Sequence, residues 1–326
     1  MTQAGTPAAA SAPRKIIIDT DPGQDDAIAI LLALASPELD VLGLTAVAGN
    51  VPLALTERNA RKIRALAGRP DIPVHAGADR PLSRALVTAE QVHGRTGLDG
   101  PDLPEPAEPL ATLHAVDFLI DTLRREEPGA VTLCALGPLT NLALAFERAP
   151  DVVPRVREIV AMGGGAFEGG NTTPVAEFNI YVDPHAAKAV LAAAAGAGVP
   201  VTMMPLDVTH QALTRADRIA AIRALGTPVA AAAVALLEFF ERFDEAKYGT
   251  DGGPLHDPCV IAWLLARELF GGRLVNVEIE TDSELTLGQT VVDWWGVTDR
   301  PRTVRFIREI DSDGFFALLT KRLGRL

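Results

Sequence analysis

From Lys15 onward the chain alternates short β-branched apolar runs with longer helical ones. "KIIID" at 15–19 reads as a strand, and the apolar "DDAIAILLALAS" after it as a helix. "DVLGLTAVAG" predicts the next strand, "LALTERNARKIRALAG" the next helix and "PVHAG" a third strand. A polar passage rich in Pro and Gly, residues 76–109, then breaks the rhythm and reads as a long functional loop. The alternation resumes with helix "ATLHAVDFLIDTLRR", strand "AVTLCAL", helix "LTNLALAFER", strand "EIVAMGG", helix "DPHAAKAVLAAAA" and strand "PVTMMPL". Two helices are predicted over residues 215–244 and one over 258–269. Strands "LVNVEIET" and "TVRFIREI" and a terminal helix "DGFFALLTKRL" close the chain.

Continuous apolar strands alternating with helices predict an α/β fold with a mostly parallel, mixed central sheet and helices on both faces. No composition break marks a linker, so residues 14–326 read as a single domain behind a disordered tail, residues 1–13. In open α/β sheets ligands sit outside the carboxyl ends of the strands, where the strand order reverses. Asp19 and Asp21 follow the first strand, Asn50 the second, and "LGPLTN" and "MGGG" two later ones.

Composition narrows the partners. The 326 residues are 48% hydrophobic and carry a formal charge of −12, with no Lys/Arg cluster to track a phosphate backbone. Nucleic acid and anionic membrane are therefore poor partners, and solubility alone accounts for the acidic balance. Cys134 and Cys259 lie far apart in apolar contexts and read as buried thiols. The N-terminus lacks the apolar core of a secretory signal, and no apolar run is long enough for a spanning helix; a cytoplasmic location is expected.

Four aspartates, Asp19, Asp21, Asp25 and Asp26, crowd the turn between the first two apolar runs. Acidic residues in a first helical turn are accounted for by the orphan N–H groups and the macrodipole, which would suffice for Asp25 and Asp26 alone. Asp19 and Asp21 lie upstream of that turn, so a hard divalent cation with oxygen ligands is the natural compensator. An EF-hand does not fit: counted from Asp19, position six is Gln24 and position twelve is Ile30. A Mg²⁺-dependent phosphatase of the haloacid dehalogenase type also places Asp-x-Asp after its first strand. Here Gly23 stands where that pattern needs Thr or Val, and Asp25-Asp26 go unexplained.

"DTDPGQDDAIAI" resembles the signature of the inosine-uridine-preferring nucleoside hydrolases. In the same order follow "AVAGN", "VHGRTGLDG", "LGPLTN", "MGGG", "NTTPVAEFNIYVDPHAA", "PLHDPCVIAWLL" and "LGQTVVD", so the resemblance covers nearly the whole ordered chain. It implies a Rossmann-like nucleoside hydrolase fold that uses Ca²⁺ to cleave the N-glycosidic bond of ribonucleosides. By that resemblance Asp21, Asp26, Asp257 and the Leu136 carbonyl hold the ion. Asp21 doubles as general base, taking a proton from a water whose pKa the cation has lowered. Asp25 would hold the ribose 2′-hydroxyl, while Asn50, Asn171, Glu177 and Asn179 grip the other hydroxyls and Met162 and Phe178 pack sugar and base. Met162 is equally explained as core filler.

Asp19 is left to brace the loop, and Asn141 and Asp183 read equally well as helix caps. His256 is the implied leaving-group acid or base contact, and His93 a residue on the base side of the pocket. His75, His114, His185 and His210 have no comparable context. Tyr248, eight residues before His256, and the lack of a tryptophan at the expected stacking positions lean toward pyrimidine or broad specificity. The family forms dimers and tetramers, which makes a homodimer or homotetramer the expected assembly. The non-enzyme alternative is a silent ribose- or nucleoside-binding protein, against which the complete set Asp21, Asp25, Asp26, Asn179 and Asp257 argues.

Overall fold

A computed structural model describes residues 12–248 and 252–326. Of the expected tail, residues 1–11 lie outside the described residues. Nine strands form one sheet: β1 (Arg14–Thr20), β2 (Leu39–Ala46), β3 (Val74–Ala76), β4 (Val131–Ala135), β5 (Val156–Met162), β6 (Val201–Met204), β7 (Phe270–Ile279), β8 (Thr290–Asp293) and β9 (Val304–Ile310). Their order is β3-β2-β1-β4-β5-β6-β9-β7-β8. The seven strands from β3 to β9 pair in parallel. β7 then runs antiparallel to β9, and β8 antiparallel to β7.

β1 shows why the centre of its sequence, Ile16 to Ile18, is uniformly apolar. Ile16 and Ile18 join the core on one face of the sheet and Ile17 the core on the other, since helices cover both. The helix Gln24–Leu34 is buried along its whole length, which explains a continuous apolar run where a surface helix would show a stripe. It packs against helix Pro258–Leu265, itself almost entirely apolar. The opposite face is covered by helices Ala115–Arg125, Thr140–Arg148 and Pro184–Ala197.

Two features depart from the expected pattern. β8, four residues inside "LGQTVVD", is an extra edge strand too short to show alternation, and the helix predicted over 258–269 ends at Leu265 before a 3₁₀ turn, Arg267–Leu269. The long loop at 76–109 carries a single helical turn, Glu90–His93. No helix among the described residues is long and apolar enough to cross a membrane.

Candidate active site

β1 has β2 on one side and β4 on the other, so the strand order reverses there and a crevice opens beyond their carboxyl ends. Three loops meet in it: Asp21-Pro22-Gly23 after β1, Gly49-Asn50 after β2 and Leu136-Gly137 after β4. Two helix N-termini also point there. Helix Gln24–Leu34 brings Asp25 and Asp26, and helix Pro258–Leu265 brings Asp257 from the far end of the chain.

Carboxylate oxygens of Asp25, Asp26 and Asp257 all lie within 4.8 Å of one another, and all three residues are buried. Asp26 also does what a first-turn acid does, its Oδ2 accepting the Gly23 N–H at 2.9 Å, and Thr20 donates to its Oδ1. Asp21 stands apart from this triad. Its Oδ2 accepts the Asn50 N–H at 2.8 Å, while its Oδ1 is buried with no hydrogen-bond partner among the described residues. Asn50 closes the loop by donating to the Asp21 carbonyl at 3.1 Å and to Asp26 Oδ2 at 3.2 Å.

Burial pushes every acid here upward. Asp25 rises to about 8, with the charge of Asp26 adding to the effect of burial. Asp21 and Asp257 are held well above the usual carboxylate range, first by burial and then by their acidic neighbours. Asp26 is raised less because Thr20 and Gly23 hydrogen bonds oppose its burial. Asp19 rises to about 7 by burial, against hydrogen bonds from Thr45 and Asn141. Buried oxygen-only donors, one of them unpartnered, are the set a hard divalent cation requires.

A cavity of about 240 Å³ opens on Asp25 and Asp257. Every sequence-predicted sugar and base contact whose side chain is described lines it: Asn50, His93, Met162, Asn171, Glu177, Phe178, Asn179 and His256, as does Leu136. Asp21 and Asp26 lie behind the wall. The Tyr248 side chain lies outside the described residues. Several lining groups are already engaged. Asn179 donates to the Leu136 carbonyl at 2.6 Å and to the Met162 carbonyl at 3.2 Å. Glu177 caps helix Phe178–Val182, accepting N–H groups from Gly164, Asn179 and Ile180, and burial raises it to about 7. Asn171 Oδ1 accepts the Phe178 N–H at 2.9 Å.

His256 lies 2.7 Å from Thr209 Oγ1 through its Nδ1, and burial holds its imidazole well below the ordinary value, with His210 and His93 adding to the effect. Burial alone lowers His93 to about 3. His210 and Phe240 also line the cavity, although the sequence marked neither. His210 follows the carboxyl end of β6 by a few residues, so the strand-end rule that singled out Asn50 would have found it. Phe240 sits mid-helix and carries no such signal. Val87, Thr88, Ala89, Gln91 and Val92 of the long loop cover the same cavity.

One expectation is corrected. Asn141 is not a cap; helix Thr140–Arg148 starts before it, with Leu139 at its N-cap. Its side chain instead ties three elements, donating to Asp19 Oδ1 at 2.8 Å and the Ala46 carbonyl at 3.2 Å and accepting the Ala78 N–H at 2.8 Å. Asp183 is a cap, accepting the Ala186 N–H at 3.0 Å.

The site therefore has an acidic floor, an amide-lined side and an aromatic side, at the switch point of a mostly parallel sheet. That class of site belongs to a known family. Residues 16–317 match the inosine-uridine preferring nucleoside hydrolases, and the chain is a member of that family. It is an N-ribohydrolase acting on ribonucleosides. An uncharacterized protein of Schizosaccharomyces pombe is 56% identical over 96% of this chain and 99% of its own. The pyrimidine-specific ribonucleoside hydrolase RihA of Photobacterium profundum is 49% identical, with 95% and 99% covered. Among solved structures, a purine-preferring ribonucleoside hydrolase from Gardnerella vaginalis superposes with a TM-score of 0.88 at 29% identity, covering 95% of this chain and 98% of that one.

Proposed function

We propose that the protein is a Ca²⁺-dependent hydrolase that favours pyrimidine ribonucleosides. The observation that carries this reading is the buried triad Asp25, Asp26 and Asp257 opening on a cavity with no Lys or Arg in its wall among the described residues. A phosphate ester would meet only like charge there, whereas a neutral nucleoside meets carboxylates and amides that match its hydroxyls. The ion would be held by Asp26 and Asp257, with Asp21 and the Leu136 carbonyl as further oxygens. When bound, it supplies positive charge that lowers the pKa of water and orients ribose hydroxyls.

The chain's own groups do the rest. Asp25, on the cavity wall, accepts from the 2′-hydroxyl. Asn50, Asn171, Glu177 and Asn179 fix the other hydroxyls, so an analogue lacking one leaves a buried partner unpaired. Asp21 Oδ1, buried and without a hydrogen-bond partner among the described residues, is the acceptor for the proton of the attacking water. His256 stands against the leaving base. The preference for pyrimidines rests on the nearness of the pyrimidine-specific relative and on a wall of phenylalanine and histidine without tryptophan among the described residues. Cytoplasmic location and a homodimeric or homotetrameric assembly complete the reading.

Purified protein should be offered uridine, cytidine, inosine and a phosphate monoester, with free ribose and phosphate measured. Ribose should appear fastest from the pyrimidines, vanish on chelation and return with Ca²⁺ more than with Mg²⁺. Asp21→Asn should lower kcat by about 10²–10⁴-fold, the range of a lost general base. Normal turnover in that variant, or full activity in chelator, would overturn the mechanism.

A further inference from the structure

Gln24 is an uncharged polar residue inside the acidic turn, yet it has no exposure at all. Its amide reaches across to the loop that follows helical turn Glu90–His93. One terminal atom lies 2.9 Å from the His93 carbonyl oxygen and 3.1 Å from that of Asp99. The other lies 2.7 Å from His93 Nδ1. Carbonyls only accept, so the atom between them must be the NH₂ group, and the amide has one possible orientation. The remaining atom is then Oε1, which also only accepts. His93 Nδ1 must therefore carry a proton.

Burial keeps this imidazole neutral, so that proton is the ring's only one and Nε2 holds a bare lone pair. No group among the described residues donates to Nε2, and the ring lines the cavity. The turn is shaped to admit the ring, for a Cβ on Gly23 would come 2.3 Å from Nδ1. His93 shares its side of the cavity with Phe240, ring centroids 5.6 Å apart, and Phe240 in turn meets His256 edge-on at 6.3 Å. A flat base fits such a wall, while the sugar hydroxyls find their acceptors among the carboxylates and amides.

We propose that Gln24 is a positioning residue that locks His93 in its Nδ1–H tautomer, so that Nε2 accepts a hydrogen bond from an N–H on the substrate's base. His93 is then a reader of the base and not a proton donor to it. A uracil N3–H or a cytosine amino group is the matching donor. The inference rests on the nucleoside-hydrolase reading only for the identity of that ligand.

The test is long-range ¹H–¹⁵N correlation NMR on protein labelled at histidine, with the His93 signal assigned by its loss in His93→Ala. The wild type should show protonated Nδ1 and unprotonated Nε2 between pH 6 and 8. In Gln24→Leu, which keeps the volume, the ring should shift toward Nε2–H. The same variant should raise KM for uridine about tenfold, the worth of one hydrogen bond, with kcat changed less than about threefold. The preference for uridine over 3-methyluridine should shrink by about the same factor. A wild-type Nε2–H signal, or an unchanged preference in Gln24→Leu, overturns the proposal. Should Gln24→Leu not fold, the wild-type spectrum still decides the tautomer, and Gln24→Met serves for kinetics. If no nucleoside is hydrolysed, the proposed function fails while the spectrum stands; if uridine is hydrolysed with His93 as Nε2–H, only this inference fails.

Discussion

Asp21 is hemmed in by two glycines from other loops. A Cβ on Gly49 would lie 2.0 Å from Asp21 Oδ2, and one on Gly137 would lie 2.2 Å from Oδ1. Both keep ordinary backbone angles, so closeness and not conformation is what demands glycine here. Gly49→Ala must push the carboxylate off the Asn50 N–H and out of the crevice. We expect it to lower kcat/KM for uridine by about 100-fold and to cost roughly 1–3 kcal/mol of stability, the usual range for overpacking. Urea unfolding and steady-state kinetics measure both, and an alanine variant with wild-type turnover would show that Asp21 need not stay where it is. The aspartates themselves were plain in the sequence, because four like charges between apolar runs demand a compensator. Which carboxylates would meet was not. Asp25 joins Asp26 and Asp257 while Asp21 turns toward Asn50, and that division depends on two loops that are remote from the turn in sequence. His210 and Gln24 were passed over for a similar reason: their partners, Glu168 and His93, lie far away along the chain.

Elements were more legible than contacts. The isoleucine run of β1 and the apolar run from Ala27 to Leu34 in the helix after it announced themselves by showing no polar face, as burial on both sides requires. β8 escaped notice because four residues at a sheet edge, one of them nearly half exposed, leave no periodicity to read. Asn141 read equally well as a cap by its position, whereas its work is to join β1, β2 and the segment after β3. Its removal strands the buried Ala78 N–H and takes one donor from Asp19, which keeps Thr45. Asn141→Ala should therefore destabilise the protein by about 2–3 kcal/mol, the cost of leaving buried groups unpaired, with little change in the slope of denaturant unfolding. A loss below about 0.5 kcal/mol would mean that water replaces the amide and that the three elements do not depend on it.

At the scale of the molecule, the alternation of strands and helices gave the parallel sheet and placed the site at its reversal, whereas the antiparallel end, β7 and β8, turns on pairings that no local pattern encodes. The same architecture gathers acids far apart in the chain into one buried crevice, and their protonation is thereby tied to folding. Burial raises Asp25 to about 8 and Asp19 and Glu177 to about 7, from ordinary values of 3.8 for the aspartates and 4.5 for the glutamate. A group whose pKa is higher in the folded state binds its proton more tightly there. Its contribution is complete below the unfolded value and is lost as pH rises through the folded one. For metal-free protein the window thus runs from about pH 4 to about pH 8, and stability should fall across it. A divalent cation favours the charged forms and acts in the opposite sense, gaining most where the acids have lost their protons. Thermal unfolding in chelator should show Tm dropping by roughly 5 °C or more between pH 5.5 and 8.5, with Ca²⁺ restoring it far more at the upper pH than at the lower. A chelated protein whose Tm rises with pH across that range would mean that these carboxylates are already ionised at pH 5.5, and that the crevice is wetter than its burial implies.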